Sequence, residues 1–167
     1  LNNNKQVLRH QRRFARRIMD HALKYDHVLY NVENETKAPY AWSNYWADFM
    51  HQLAAAHDKN IYVTAMETGR GLNHTARLYD KPDRYPFIDA SQRTIKSATR
   101  LYQQTRAIRT GAAEVRPRPI NFVKIYETGD GDPFRRFWAA TFAGAGSVRF
   151  HRNHSKWGTG LNEPSQH

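Results

Sequence analysis

A chain of 167 residues is long enough for one ordinary domain with its own core, and its 40% apolar and 13% aromatic content argues against disorder. It has no cysteine, which excludes disulfides and thiolate metal sites, and no run of ~18 apolar residues that would span a membrane. The net charge of +11 would attract nucleic acid, anionic membrane surfaces or acidic polysaccharides.

The first residues, Leu1-Asn2-Asn3-Asn4-Lys5, carry neither an initiator Met nor an apolar signal core, which suggests a piece of a longer chain. Residues 5–25 place Val7, Leu8, Phe14, Ile18, Met19, Ala22 and Leu23 at spacings of three and four, the pattern of an amphipathic helix. Its basic run, Arg9 to Arg17, reads first as a solvated helix face, and an acidic remainder of the chain would cancel the excess charge. Val28 to Val32 is a strand that ends in Glu33-Asn34-Glu35. Thr36 to Ala41 reads as a loop, because Pro39 and the residue before it resist helical geometry.

Trp42, Tyr45, Trp46, Phe49, Met50, Leu53 and Ala54 mark one face of a helix that ends near His57. Trp42 has a second reading, at the helix entrance beside the strand exits. Ile61 to Met66 is the next strand, followed by the exit loop Glu67-Thr68-Gly69-Arg70-Gly71 and a longer loop with His74. Tyr85 to Ser91 predicts a short third strand with Asp89 near its exit, and Gln92 to Arg109 a helix without an internal breaker. Gly111 to Pro119 reads as a connector into a strand over Ile120 to Glu127. Asp132-Pro133 is a helix start, with Asp as the cap and Pro in the first turn, and Gly144-Ala145-Gly146 a stop. Trp138, inside that helix pattern, reads as core. Ser147 to His151 is a fifth strand, and the polar tail from Arg152 reads as loop.

Strands near 28, 61, 86, 120 and 147 with a helix in each gap make a parallel α/β protein. Five such strands form either an open sheet or the later half of an eight-stranded (β/α) barrel of TIM type, which usually needs ~250 residues. A chain opening in mid-pattern on a helix favours the incomplete barrel, with residues 1–167 as one partial domain. In parallel α/β proteins a carboxylate at a strand's carboxyl end points into the crevice where ligands bind. Two strands here end that way, at Glu35 and at Glu127.

The stretch Leu29-Tyr30-Asn31-Val32-Glu33-Asn34-Glu35 resembles the fourth-strand motif of the large clan of retaining glycoside hydrolases built on (β/α)8 barrels. There an Asn-Glu pair ends the strand, the Glu being the general acid/base, and the nucleophile is a Glu ending the seventh strand. Pro119 to Glu127 has the matching place, three βα steps on. Phe137-Trp138-Ala139-Ala140 through Phe142 to Val148 resembles the seventh helix and eighth strand of cellulase-like and apiosidase-like barrels. The resemblance covers roughly residues 5–157 and implies that the first three strands belong to a missing N-terminal half of the barrel. It also implies a secreted or periplasmic setting and no cofactor.

Retaining hydrolysis needs two carboxyl groups ~5–5.5 Å apart, one protonated and one ionised. By this resemblance Glu35 is the acid/base, Glu127 the nucleophile, and Asn34 the partner of the sugar 2-hydroxyl. Glu33 competes with Glu35, because alternate strand residues face one side. The competing reading makes both glutamates solvated residues at helix entrances. Trp42 and Trp157 are candidate stacking platforms for sugar rings, and a packing role is the alternative for each. Glu67, Arg70 and His74 share one exit loop and suit hydroxyls or a carboxylate-bearing sugar. Arg149 and His151 alternate with Val148 and Phe150, and so point toward the barrel interior or its mouth.

Nine histidines include no His-x-x-x-His or His-Glu-x-x-His pair, and no phosphate-loop motif occurs, so metal and nucleotide chemistry rank behind sugar chemistry. A non-catalytic carbohydrate-binding or structural barrel relative is the alternative. A basic nucleic-acid-binding module is the third reading, without a recognised motif or contiguous basic tract to carry it.

Overall fold

The computed structural model describes residues 4–36, 38–67, 81–91, 95, 97–125 and 132–151, with the backbone but not the side chains of residues 35 and 67. Helix α1 (Lys5–Ala22) starts where the Asn4 side chain accepts from the amides of Gln6 and Val7. Strand β1 (Leu29–Thr36) leads to helix α2 (Tyr40–Ala55), then strand β2 (Tyr62–Glu67). A two-residue strand β3 (Ile88–Asp89) is followed by helix α3 (Ala98–Val115) and strand β4 (Ile120–Ile125). Helix α4 (Pro133–Phe142) and strand β5 (Ser147–Phe150) complete the described chain.

Every strand pairing is parallel, as the alternating helices require. Among the described residues the strands form two sheets, β1-β2 and β3-β4-β5, and these are not closed into a barrel. At the seam the Thr64 hydroxyl accepts from the amide of Asp89 at 3.1 Å, so a side chain links β2 to β3. One sheet face lies against the helices and carries the core: Tyr30, Val63, Ala65, Ile88, Ile120, Phe122 and Ile125 are buried. Phe150 marks the same side, its ring stacked on Phe137 of α4 with centroids 5.0 Å apart.

Two strands carry irregular pairing that resets which side chains face where. On β1 the partners jump from Asn31↔Thr64 to Asn34↔Met66, three residues against two, and again between Asn34 and Thr36. On β4 they jump from Phe122↔Val148 to Ile125↔Phe150. Such a bulge inserts one residue and offsets the alternation beyond it. Asn31, Asn34 and Thr64 therefore share the face away from the helices with Asp89, Asn121 and Lys124. Leu29 and Tyr62, register partners on that face, are half exposed.

Several boundaries depart from the sequence reading. The loop expected over Thr36 to Ala41 is short, since α2 begins at Tyr40 with Pro39 as its cap. The helix expected to end at Arg109 is displaced: Ser97 caps α3 through the amide of Arg100, and the helix runs through Gly111 to Val115. Glycine costs ~1 kcal/mol inside a helix, and burial of Leu101, Ile108 and Ala112 along α3 outweighs that. Trp138, expected in the core, is 51% exposed and stacks on the exposed ring of Phe142. The α1 stripe is also largely open, with Phe14 at 68% exposure while Met19 and Leu23 are buried. The tail from Arg152 lies outside the described residues.

The Asp132 cap and the glycine stop of α4 match the expectation. Gly144 has φ +94°, and a Cβ there would stand 2.7 Å from Nη1 of Arg109. Gly144→Ala is expected to lower stability by about 1 kcal/mol, read from urea unfolding.

Candidate functional site

At the carboxyl end of β1, Glu33 and Asn34 turn to opposite faces. Glu33 turns under α2, is only 4% exposed, and accepts hydrogen bonds from Thr36 Oγ1 and, at 2.7 Å, from Ser43 Oγ. Ser43 is itself fully buried on the inner side of α2. Glu33 lies within the first irregular step of β1, between Asn31 and Asn34, and the side chain of its rival Glu35 lies outside the described residues. Glu33 is a buried anchor between β1 and α2.

Asn34 faces the other way. Its Oδ1 accepts from Nζ of Lys124 at 3.1 Å, a bond between β1 and β4. Strands in a sheet lie ~4.8 Å apart, so a flat array would separate these two by about 14 Å. The bond closes that gap, and the two sheets therefore curl toward this face. Lys124 is 9% exposed, and its positive charge acts on Asp89, which lies one strand over.

Asp89 sits in a dense polar knot. Its Oδ1 accepts from the Ser91 amide at 2.8 Å, its Oδ2 from Nδ2 of Asn121 at 2.7 Å, and Ser91 Oγ accepts from the Val123 amide at 2.8 Å. Burial pushes its carboxyl above the ordinary value near 3.8, against the opposing pull of those hydrogen bonds and of Lys124. Asn121 Oδ1 is buried without a hydrogen bond among the described residues.

Family profiles, curated proteins and solved structures return no match to the chain. What the face can do follows from its own residues. Asn34 and Lys124, near the exits of β1 and β4, offer a neutral and a charged donor suited to a hydroxyl-rich or anionic ligand, while Asp89 and Asn121 bond each other nearer the start of β4. Among the described residues no group of three His, Asp or Glu is arranged to hold a metal ion. No helix among them is long and apolar enough to cross a membrane.

The other sequence-predicted site residues fall as follows. Trp42 lies in the first turn of α2, half-buried, its ring edge-on to Trp46 at 6.2 Å between centroids, a packing role. His151 is half-buried just past β5, its amide donating to the Ile125 carbonyl at 2.8 Å. Glu35 lies on the β1 backbone directly after Asn34, and Glu67 ends β2; their side chains lie outside the described residues. Glu127, Arg70, His74 and Trp157 lie outside them entirely. The sequence reading missed Lys124 and Asn121. A lysine near the end of an otherwise apolar strand was the available signal, since burying an ammonium is costly without partners.

Asp89 gives a pH-dependent prediction with a definite sign. Between the unfolded value near 3.8 and the raised native value, the native state holds a proton that the unfolded chain has released. The stabilising contribution is therefore full below the unfolded value and is lost as pH rises through the native one. Asp89→Asn is expected to remove that slope, so wild type loses stability relative to the variant as pH rises above the unfolded value near 3.8. Urea unfolding at several pH values reads the difference, and a pH-independent gap would contradict it.

Proposed function

We propose that the chain is the later part of a (β/α) barrel of the retaining glycoside hydrolase clan, with Glu35 as acid/base and Glu127 as nucleophile. The observation that most supports this reading is the hydrogen bond from Lys124 to Asn34. It joins the exits of the two strands that lead into these glutamates. Glu35 follows Asn34 directly, and Glu127 comes three residues after Lys124. The curl of the sheets that this bond requires is the curvature a barrel wall needs.

In this reading Glu127 attacks the anomeric carbon while Glu35 protonates the leaving oxygen. Glu35 then takes a proton from the water that releases the sugar. Lys124 supplies positive charge beside the nucleophile's strand exit, which favours an ionised carboxylate. With its Oδ1 engaged by Lys124, Asn34 keeps its amide N–H group for a sugar hydroxyl.

The test is covalent trapping. A panel of activated 2-deoxy-2-fluoro glycosides, both anomers of each sugar, is incubated with the protein and digested for peptide mass analysis. A single glycosyl adduct on Glu127, absent from Glu127→Gln, is the expected result. No adduct together with no turnover of any glycoside in the panel would overturn the reading.

A further inference from the structure

Helix α1 carries more positive charge than its own stability calls for. Lys5, Arg9, Arg12, Arg13, Arg16 and Arg17 share it with a single acid, Asp20. Arginines one turn apart, as in Arg9, Arg13 and Arg17, repel each other and weaken a helix. Arg12 and Arg16 are drawn to the body of the protein, their guanidinium groups 5.5 and 5.6 Å from the ring centroids of Tyr45 and Phe49 on α2. Arg9, Arg13 and Arg17 are exposed, and among the described residues no ion pair holds them. Beside them runs an apolar ridge. Val7, Phe14 and Ile18 fall on one face of the helix and are 49%, 68% and 45% exposed. Met19 and Leu23, on the neighbouring face, already fill the core, so the ridge is surplus to packing. A groove of about 510 Å³ brings ridge and cations together, with Phe14, Ile18, Arg17, Lys24 and Asp20 along it.

We propose that this side of α1 docks on an anionic lipid surface, with Val7, Phe14 and Ile18 inserted below the headgroups and Arg13 and Arg17 on lipid phosphates. A helix of low overall hydrophobicity, with a cationic sector beside an apolar one, lies in the plane of such an interface. The guanidinium fork matches a phosphate in bidentate fashion. Charge alone would suit nucleic acid equally well. The exposed ridge decides for lipid, because the phosphate backbone of a duplex gives Phe14 nothing to bury against. Met19 and Leu23 fix α1 to the core on the helix side of the sheets, opposite the face where Lys124 bonds Asn34. The docking surface is therefore separate from the strand exits and does not rest on the glycoside reading.

The test is flotation of the 167-residue protein with vesicles of phosphatidylcholine alone and of equal parts phosphatidylcholine and phosphatidylglycerol, at physiological salt. Anisotropy with a labelled DNA duplex runs beside it. Partition onto the anionic vesicles is expected to exceed that onto the neutral ones by about tenfold or more. The double variant Arg13→Gln/Arg17→Gln is expected to lower it about tenfold, at roughly one such factor or less for each cation near the surface. Phe14→Ser, at an exposed position, is expected to lower it about fivefold through lost apolar burial. Arg100→Gln/Arg106→Gln on α3 removes the same net charge and is expected to change nothing, as is Phe142→Ser on the exposed face of α4. Equal partition onto both vesicles, or none, would overturn the proposal. So would equal losses in the two arginine pairs, or in the two phenylalanine variants. Duplex binding tighter than vesicle binding, lost with Arg13 and Arg17 but indifferent to Phe14, would overturn it in favour of nucleic acid.

Discussion

Glu35→Gln is expected to lower kcat for glycosides with poor leaving groups by about 10²- to 10⁴-fold, the range removed with a general acid. For a dinitrophenyl glycoside, whose leaving oxygen needs no proton, the first step survives and a burst of phenolate precedes slow release of the sugar. Glu127→Gln removes the nucleophile and abolishes turnover of both substrate types, because no covalent intermediate forms. Stopped-flow absorbance separates the two variants. If Glu35→Gln slows both substrates equally and without a burst, Glu35 does not act as the acid.

The second large effect is structural. Ser43→Ala removes a hydroxyl that donates to the buried Glu33 carboxylate at 2.7 Å. Hydrogen bonds to charged groups contribute about 1.5–3 kcal/mol, and a buried acceptor left without its donor retains its desolvation cost. For a chain of this size the melting temperature should fall by roughly 5–10 °C. Ser43→Thr, which keeps the hydroxyl, is expected to lose much less. Turnover by the folded fraction of Ser43→Ala should be little changed, since Glu33 faces α2 and not Asn34. A thermal melt unchanged in Ser43→Ala would remove Glu33 from its anchoring role.

Parallel strands alternating with helices were legible because local signals and tertiary packing agree there. The apolar run before Glu33, the Asp132-Pro133 cap and the Gly144 stop each carry their own chemistry, and each is found in the structure. The start of α3 was not legible, because Ser97 caps through a hydroxyl that the sequence does not distinguish from that of Ser91 nearby. Gly111 misled for the complementary reason, a weak local penalty being outweighed by burial on both sides of it. Exposure of Trp138 was equally hidden, since the helical pattern that places it says nothing of which flanks of α4 find a partner.

The candidate site was legible at its strand exits and illegible in its faces. Asn34 was found, but Lys124, which bonds to it, lies 90 residues away in the chain. Alternation of side chains was the only means of assigning faces, and the bulges on β1 and β4 defeat it without a glycine to announce them. Glu33 looked interchangeable with Glu35, and the structure turns Glu33 toward α2, where Ser43 holds it.

The junction between β2 and β3 restricts what can stand at position 64. A ladder of peptide groups is indifferent to residue type, but here the Asp89 amide depends on the Thr64 hydroxyl. Valine has the same shape and no acceptor, so this isosteric exchange would strand the buried Asp89 N–H. A hydroxyl at position 64 therefore helps to hold the two sheets together, beside the bond from Lys124 to Asn34.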